Sequence, residues 1–304
     1  MDLENLSPEA GGQLLRHLSV KGTDAELVEA ATEFHGHALA LNLLGSYLAT
    51  VHEGEVRKRD LIPHLIDKEE QPGYHAYRVM ASYEHWLVAT PEKAESLFRE
   101  AEIIQKEINP ERPILHSTQG YRYNDLLLTQ GNYQDVLIRI SRTKEWQTTR
   151  YQLLTEALNL LNLGQAYLLM VKLENMDMLH QAVTALSDAI IALRASGFQE
   201  NLIRGLLAQA ELYRIRSEFQ LAKQNIEEVY EIAKRGEMKL HLADYHLEAC
   251  RLCSAEGKME TGGGRTEAVE KKKREAEEHL RVASEMIEEM GYGRRRPEVE
   301  ELRK

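Results

Sequence analysis

The chain has 304 residues, of which 43% are hydrophobic, and its 49 acidic and 38 basic residues leave a net charge of −11. Because the acidic excess is mixed along the chain, nucleic acid is not an expected partner. Two cysteines are too few for a disulfide-stapled scaffold. The acidic start Met1-Asp2-Leu3-Glu4 differs from the basic and then apolar start of a secretory signal, so we expect a cytoplasmic location.

The two longest apolar stretches, residues 38–51 and 153–171, are interrupted by polar residues such as Asn42 and Glu156. A membrane-spanning helix takes about 20 mostly apolar residues. Neither stretch meets that requirement, and we expect no membrane association.

Three helices are predicted at the start of the chain. In Leu6-Ser7-Pro8-Glu9, Ser7 caps a helix and Pro8 suits its first turn, and the helix should run through Leu18. Thr23-Asp24-Ala25-Glu26 is a capping box for a second helix through Phe34. A third and more apolar helix begins in residues 36–45.

The run Gly36-His37-Ala38-Leu39-Ala40-Leu41, together with the leucine-serine helix start, resembles part of the nucleotide-binding module of bacterial STAND NTPases, which include the NB-ARC and NACHT groups. The resemblance covers about the first 65 residues. It implies a small helical subdomain that packs behind the nucleotide. The chain would then be the C-terminal part of a larger signalling switch.

The chain departs from the STAND pattern at two points. Ala38 stands where that family has a proline near the adenine, and GxxxxGK[ST] is missing. The resemblance therefore implies that any ATP hydrolysis lies in a domain outside this chain, and we expect neither enzyme activity nor a cofactor here. The residues alone are equally compatible with an ordinary helical cap that shields a repeat array.

A polar and charged stretch at residues 60–73 predicts a domain boundary, with a small helical subdomain at 1–73 and a second domain at 74–304. Residues 203–234 fit a helix-turn-helix unit. Small Ala210 precedes Tyr213 on the first helix, and Ala222, Ile226 and Val229 follow on the second. This spacing resembles the tetratricopeptide repeat (TPR).

Similar small-residue anchors recur along the second domain. They are Ala94, Phe98 and Ala101; Val136 and Ile140; Ala182, Leu186 and Ala189; and Ala276, Leu280 and Ala283. We therefore predict an all-α fold, a TPR-like right-handed α-solenoid of about five helix pairs after the small helical subdomain. An insertion is expected at residues 258–274, and a capping helix after Pro297.

In such a solenoid the first helices of successive pairs line a concave groove. Arginine can pair with carboxylates there, and tyrosine supplies rigid contact area. The predicted groove residues that bind a protein or peptide are Tyr121, Asn124, Gln165, Arg204, Glu211, Arg214, Asp244 and Arg251, with Leu161, Leu168 and Leu247 beside them.

Two other motifs allow more than one interpretation. Cys250-Arg251-Leu252-Cys253 with His246 has the spacing of half a zinc site, but no second ligand pair accompanies it, so we favour core packing. Arg294-Arg295-Arg296 could contact a nucleotide or phosphate of a partner subunit, and we favour a solvated basic turn. We expect the same of Lys271-Lys272-Lys273-Arg274, as a solvated helix face.

Two functions follow as hypotheses. In the first, the chain is the non-catalytic sensor and regulatory region of a STAND-type protein, binds a protein or peptide trigger in its groove, and contacts an NTPase domain or a second copy. In the second, it is a free-standing TPR adaptor that links two proteins without a nucleotide switch.

Overall fold

A computed structural model of the chain describes residues 5–62, 91–144, 146, 153–173, 175–260 and 267–304. Within these ranges the fold is all-α, with thirteen α-helices, three short 3-10 helices and no strand beyond an isolated bridge between Lys21 and Glu55. The chain divides into two compact units, Met1–Thr90 and Pro91–Lys304.

The first unit contains α1 (Pro8–His17), α2 (Asp24–Glu33), α3 (Ala38–Val51) and a 3-10 helix (Val56–Leu61). Both predicted helix starts are confirmed. The Ser7 hydroxyl accepts a hydrogen bond from the Ala10 N–H at 3.2 Å. The Thr23 hydroxyl accepts from the Glu26 N–H at 3.3 Å, while the Glu26 carboxylate accepts from the Thr23 N–H at 2.8 Å.

The core of the first unit lies between its three α-helices and includes the fully buried Phe34, Leu41 and Leu44. The Leu6 N–H donates to the Gly36 carbonyl at 2.8 Å, so the two segments of the STAND resemblance lie against each other. Gly36 has a φ of +65°, and a Cβ there would lie 2.1 Å from the Leu6 oxygen, so only glycine fits.

The second unit contains ten α-helices in its described part. They are α4 (Pro91–Ile108), α5 (Ser117–Thr129), α6 (Tyr133–Lys144), α7 (Leu153–Lys172), α8 (Leu179–Ser196), α9 (Gln199–Ile215), α10 (Phe219–Arg235), α11 (Lys239–Glu260), α12 (Glu267–Met290) and α13 (Arg296–Leu302). The short 3-10 helices Met176–Met178 and Gly293–Arg295 precede α8 and α13.

Helices of the second unit pack in sequence order. From α5 to α12 each helix lies against the next, and α5, α7, α9 and α11 also contact one another in succession. We call the surface where these four helices face each other the odd-helix face. Its polar residues are Tyr121, Asp125, Arg204, Glu211, Arg214, Asp244, Glu248 and Arg251.

The small residues predicted to lie where neighbouring helices touch are buried. Ala182, Ala222 and Ala276 are between 0% and 7% exposed, on α8, α10 and α12. On α7, a Cβ at Gly164 would lie 2.6 Å from the Leu186 Cδ2 and 3.1 Å from its backbone nitrogen. Small residues therefore allow close helix contact at the positions that the sequence pattern indicated.

The predicted insertion at residues 258–274 is helical in its described part. α11 continues to Glu260 and α12 begins at Glu267, so both helices are longer than the preceding ones, and residues 261–266 fall outside the described residues. Lys271 and Lys273 are exposed as expected. Lys272 is an exception to the solvated face, because its ammonium pairs with Glu256 at 2.7 Å and with Glu275 at 3.1 Å.

The first predicted anchor set lies on α4, where Ala94 is 7% exposed and Phe98 stacks on Tyr123 with ring centroids 4.8 Å apart. The helix expected to pair with α4, and the boundary predicted after Gly73, fall outside the described residues. None of the helices in the described ranges has the length and apolar character of a membrane span.

Candidate functional site

The eight predicted groove residues lie on the odd-numbered helices, but they do not form one open surface. Tyr121, Asn124 and Asp244 are between 2% and 6% exposed. The remaining charged ones are half-buried and paired with one another or with neighbouring charges. Leu161, Leu168 and Leu247 were expected to line the groove. That prediction was wrong, because all three are core residues that pack between helices.

The side chain of Asn124 forms hydrogen bonds with residues of α6 and α7. Its side-chain amide donates to the Asn162 Oδ1 at 3.1 Å, and its Oδ1 accepts from the Arg139 Nε at 3.0 Å. Arg139 in turn donates to Glu102 at 2.6 Å, which extends the network to α4. Asn124 therefore joins α4, α5, α6 and α7 internally and is separate from the odd-helix face.

Gln165 is half-buried on α7, and its Oε1 has no hydrogen-bond donor among the described residues. Glu211 accepts from Lys172 at 2.9 Å and lies 3.5 Å from Arg214. Gln165 and Glu211 therefore differ in their hydrogen bonding. Glu211 belongs to the charged network of the odd-helix face, whereas Gln165 leaves an acceptor unused.

Asp125 is the centre of one charged group on this face. Its Oδ2 lies 2.8 Å from the Arg294 Nη1 and 3.5 Å from the Arg204 Nη1, while the Tyr121 hydroxyl lies 3.5 Å from the same Arg204 nitrogen. Burial alone would raise the pKa of Asp125, but Arg294 and Arg204 outweigh it and lower the pKa. The carboxylate therefore stays charged at neutral pH.

Asp244 is the centre of a second group, formed with Arg295 and His241. Its Oδ1 accepts from the Arg295 Nε at 2.7 Å, and its Oδ2 lies 3.4 Å from the His241 Nδ1. Burial opposes ionisation here too, but Arg295 and His241 lower the pKa of Asp244 to about 2.

Glu248 links α11 to α9, because its carboxylate lies 2.7 Å from the Arg214 Nε and 3.4 Å from the Arg251 Nη1. It is 5% exposed, and its burial raises its pKa despite the two arginines. Arg251 also pairs with Glu298 of α13, and Glu298 pairs with Arg295. This third group thus connects the odd-helix face to the end of the chain.

The C-terminal segment, residues 291–304, supplies the partners of both aspartates. Tyr292 and Val299 are 8% and 4% exposed and pack against Ala243 and Leu247 of α11 and Ile287 of α12. Arg294 and Arg295 come after Tyr292 and Gly293, and they pair with Asp125 and Asp244 on the odd-helix face. The sequence predicted that Arg294-Arg295-Arg296 form a solvated basic turn. That prediction is wrong for Arg294 and Arg295, which are half-buried, and it holds for Arg296, which is exposed.

Cys250 is buried and Cys253 is half-buried, in agreement with the preferred core interpretation. Burial raises the pKa of Cys253 to about 11, so its thiol is protonated at neutral pH. The His246 Nδ1 lies 2.9 Å from the His279 Nδ1 between α11 and α12. Across the described ranges, no group of three or more histidine, cysteine or acidic side chains is placed to hold a metal ion.

Two features of the site were missed at the sequence level. Asp125 is absent from the predicted groove residues, and Arg294 and Arg295 are predicted to be solvated. One available signal was the spacing of Tyr121 and Asp125, four residues apart and therefore on one helix face.

A comparison of the chain with protein-family models, curated proteins and solved structures finds no match.

Proposed function

We propose that the second unit is a TPR-like right-handed α-solenoid, and that its odd-helix face binds a protein or peptide. The packing pattern is the observation that carries this proposal. The odd-numbered helices contact one another, while no comparable contact joins α6, α8, α10 and α12 in the described part. Helix pairs that stack in this way curve towards the helices that touch, which gives a concave surface for recognition.

The chemistry of the odd-helix face suits a protein ligand. It combines Tyr121 with arginines and carboxylates, residue types that recognise charged side chains and peptide groups. Arg122 and Glu200, whose side chains are 53% and 50% exposed and 3.5 Å apart, offer accessible charge next to the half-buried Arg204. A partner could therefore make its first contact at this accessible pair.

In our proposal the complete role is that of a cytoplasmic, non-catalytic sensor and regulatory region of a STAND-type protein. The contact between Leu6 and Gly36 supports it, because it joins the two segments that resemble the STAND module. Ala38 is exposed and Leu39 is 58% exposed at the start of α3. These residues offer a small apolar surface for an NTPase domain.

A free-standing adaptor is the second candidate, because the odd-helix face would bind a partner in the same way without any nucleotide switch. The native coding sequence upstream of Met1 separates the two. An in-frame GxxxxGK[ST] motif there is expected for the sensor. A stop codon immediately upstream, with no neighbouring NTPase gene, would leave the adaptor.

Partner binding can be tested by placing a photo-crosslinking residue at Arg122 or Glu200 in the protein expressed in its native cells. Both positions should capture the same partner, identified by mass spectrometry, because they lie together beside the odd-helix face. The matched control is Glu231, an exposed position on α10. Equal capture from all three positions, or none from Arg122 and Glu200, would contradict the proposal.

A further inference from the structure

We infer that Asp125 and Asp244 form a receptor for a partner-protein segment with two adjacent arginines, and that the chain's own Arg294 and Arg295 occupy this receptor in the present structure. The inference rests on the proposed function and adds the chemical class of the ligand. It concerns only the second unit, to which all of these residues belong.

The first argument is the matching of charges in sequence order. Arg294 binds Asp125 of α5 at 2.8 Å, and the next residue, Arg295, binds Asp244 of α11 at 2.7 Å. Glu298, three residues further on, binds Arg251. The face therefore presents two carboxylates and one guanidinium in the order that complements an Arg-Arg-x-x-Glu segment.

The second argument is burial. The side chains of Asp125 and Asp244 are 14% and 5% exposed, so each is largely removed from water. A segment that replaces the C-terminal one and covers the same face must supply two cations, because Asp244 would otherwise keep only His241 and Asp125 only the longer contact to Arg204. A carboxylate buried without a close cation is costly.

The third argument is the Arg204 Nε, which is buried and has no acceptor among the described residues. Its Nη1 lies 3.5 Å from Asp125, so the unused donor belongs to the same site. A buried donor without a partner is unfavourable. The C-terminal segment thus leaves the Arg204 Nε donor without an acceptor. A backbone carbonyl of a different bound segment can accept a hydrogen bond from it.

The fourth argument is that the present occupant can leave. The segment begins at Gly291, which has a φ of +65° and no atom within 4 Å of an added Cβ, and Gly293 follows two residues later. Rotation at Gly293, the residue after the buried Tyr292, would move Arg294 and Arg295 together. The helix that follows, α13, has only seven residues, and its Val299, which is buried against α11 and α12, must leave with the arginines. A partner must nevertheless compete with a covalently linked segment, whose effective concentration is high.

The test measures binding of a fluorescent peptide with the sequence of residues 291–304 to the full chain by anisotropy. The variant Arg294→Ala/Arg295→Ala removes the competing arginines. It should bind the peptide at least tenfold more tightly than the unmodified chain does. A peptide with glutamate at both arginine positions should not bind, and Arg296→Ala, which changes the exposed neighbour, should leave the affinity of the full chain unchanged.

Folding of each variant is checked by circular dichroism. If the double variant does not fold, Arg294→Ala alone is used, because Asp125 then keeps Arg204, and a threefold or greater gain is expected. Adding Asp244→Asn to the folded variant should reduce peptide binding at least tenfold. Equal peptide affinity of the unmodified chain and the folded variant, or no binding to either, would overturn the inference.

Light scattering of the unmodified chain identifies the source of the segment. A monomer agrees with a partner protein as the ligand. A dimer that dissociates in Arg294→Ala/Arg295→Ala would show that the segment is exchanged between two copies and would overturn the assignment to a partner protein. Failure of the peptide test would leave the crosslinking test at Arg122 and Glu200 intact, so the two proposals fail separately.

Discussion

At the scale of single residues, buried and exposed ion pairs of this chain differ in what they contribute. Arg295 pairs with Asp244, whose side chain is 5% exposed, whereas Arg281 pairs with Glu278 and Glu285, which are both 62% exposed. Water screens the second set and leaves the first largely unscreened. The number of contacts is therefore a poor guide to their effect on stability.

We expect Arg295→Ala to lower the free energy of unfolding by about 2–3 kcal/mol, because it leaves Asp244 buried with only His241 nearby. Chemical denaturation measures the change, and a double-mutant cycle with Asp244→Ala isolates the pair. Arg281→Ala is the matched control and should cause no measurable change. An equal loss in both variants would contradict the role assigned to burial.

The histidine pair between α11 and α12 predicts a dependence on pH. Burial and the neighbouring His279 lower the pKa of His246 to about 4, and burial lowers the pKa of His279. As the pH falls below about 6.5, the unfolded chain takes up protons before the folded chain does. The stability that the neutral pair contributes is therefore present above this pH and is lost between about 6.5 and 4.

The variant His246→Gln/His279→Gln should consequently lose less stability than the unmodified chain when the pH is lowered from 7.5 to 5.0. Urea unfolding at the two values provides the measurement. His180→Gln, at an exposed position on α8, is the control and should follow the unmodified chain. The same pH response in all three proteins would show that the pair is not responsible.

At the scale of helices, glycine has opposite roles at two positions. On α7, a Cβ at Gly164 would lie 2.6 Å from the Leu186 side chain and 3.1 Å from its backbone nitrogen. On α11, a Cβ at Gly257 would meet only the Lys272 Cβ, at an ordinary 3.5 Å. The first glycine is required by contact with α8, and the second only reduces helix propensity.

We expect Gly164→Ala to lower the free energy of unfolding by about 1–2 kcal/mol, because the added methyl group forces α7 and α8 apart. Gly257→Ala should raise it by up to about 1 kcal/mol, because alanine favours a helix. Thermal unfolding of the two variants measures both changes. Destabilisation by Gly257→Ala, or none by Gly164→Ala, would contradict this difference.

The helices and the small residues buried between them were largely predictable from the sequence. The burial and pairing of charged residues on the odd-helix face were not. Ala182 and Ala222 follow a local rule, because each lies where neighbouring helices of the chain must touch. Asn124 shows the limit of that rule, since positions three and four residues after Tyr121 both lie near it on a helix. The pattern selected Asn124, and the structure places Asp125 beside Arg204.

At the scale of the whole molecule, each unit has a hydrophobic core of its own. The core around Phe34 and Leu41 belongs to the first unit, and the largest core of the second unit lies around Leu186 and Ile203. A unit that buries its own apolar residues can fold independently.

We therefore expect fragments 1–90 and 91–304 to fold separately. The circular dichroism spectra of the two fragments should add up to that of the intact chain, and fragment 91–304 should show a cooperative thermal transition. The intact chain serves as the reference in the same buffer. A fragment 91–304 that lacks helical signal would show that the second unit depends on the first.

The contact between Arg294 and Asp125 also orders events during protein synthesis. The two residues are 169 positions apart, so α5 leaves the ribosome long before its last partner is made. The second carboxylate of the receptor, Asp244, precedes Arg295 by 51 positions, so at about 5–20 residues per second both carboxylates are present for roughly 3–10 s before the arginines are made. During that time a partner already present in the cell can bind the nascent chain without competition from the chain's own arginines.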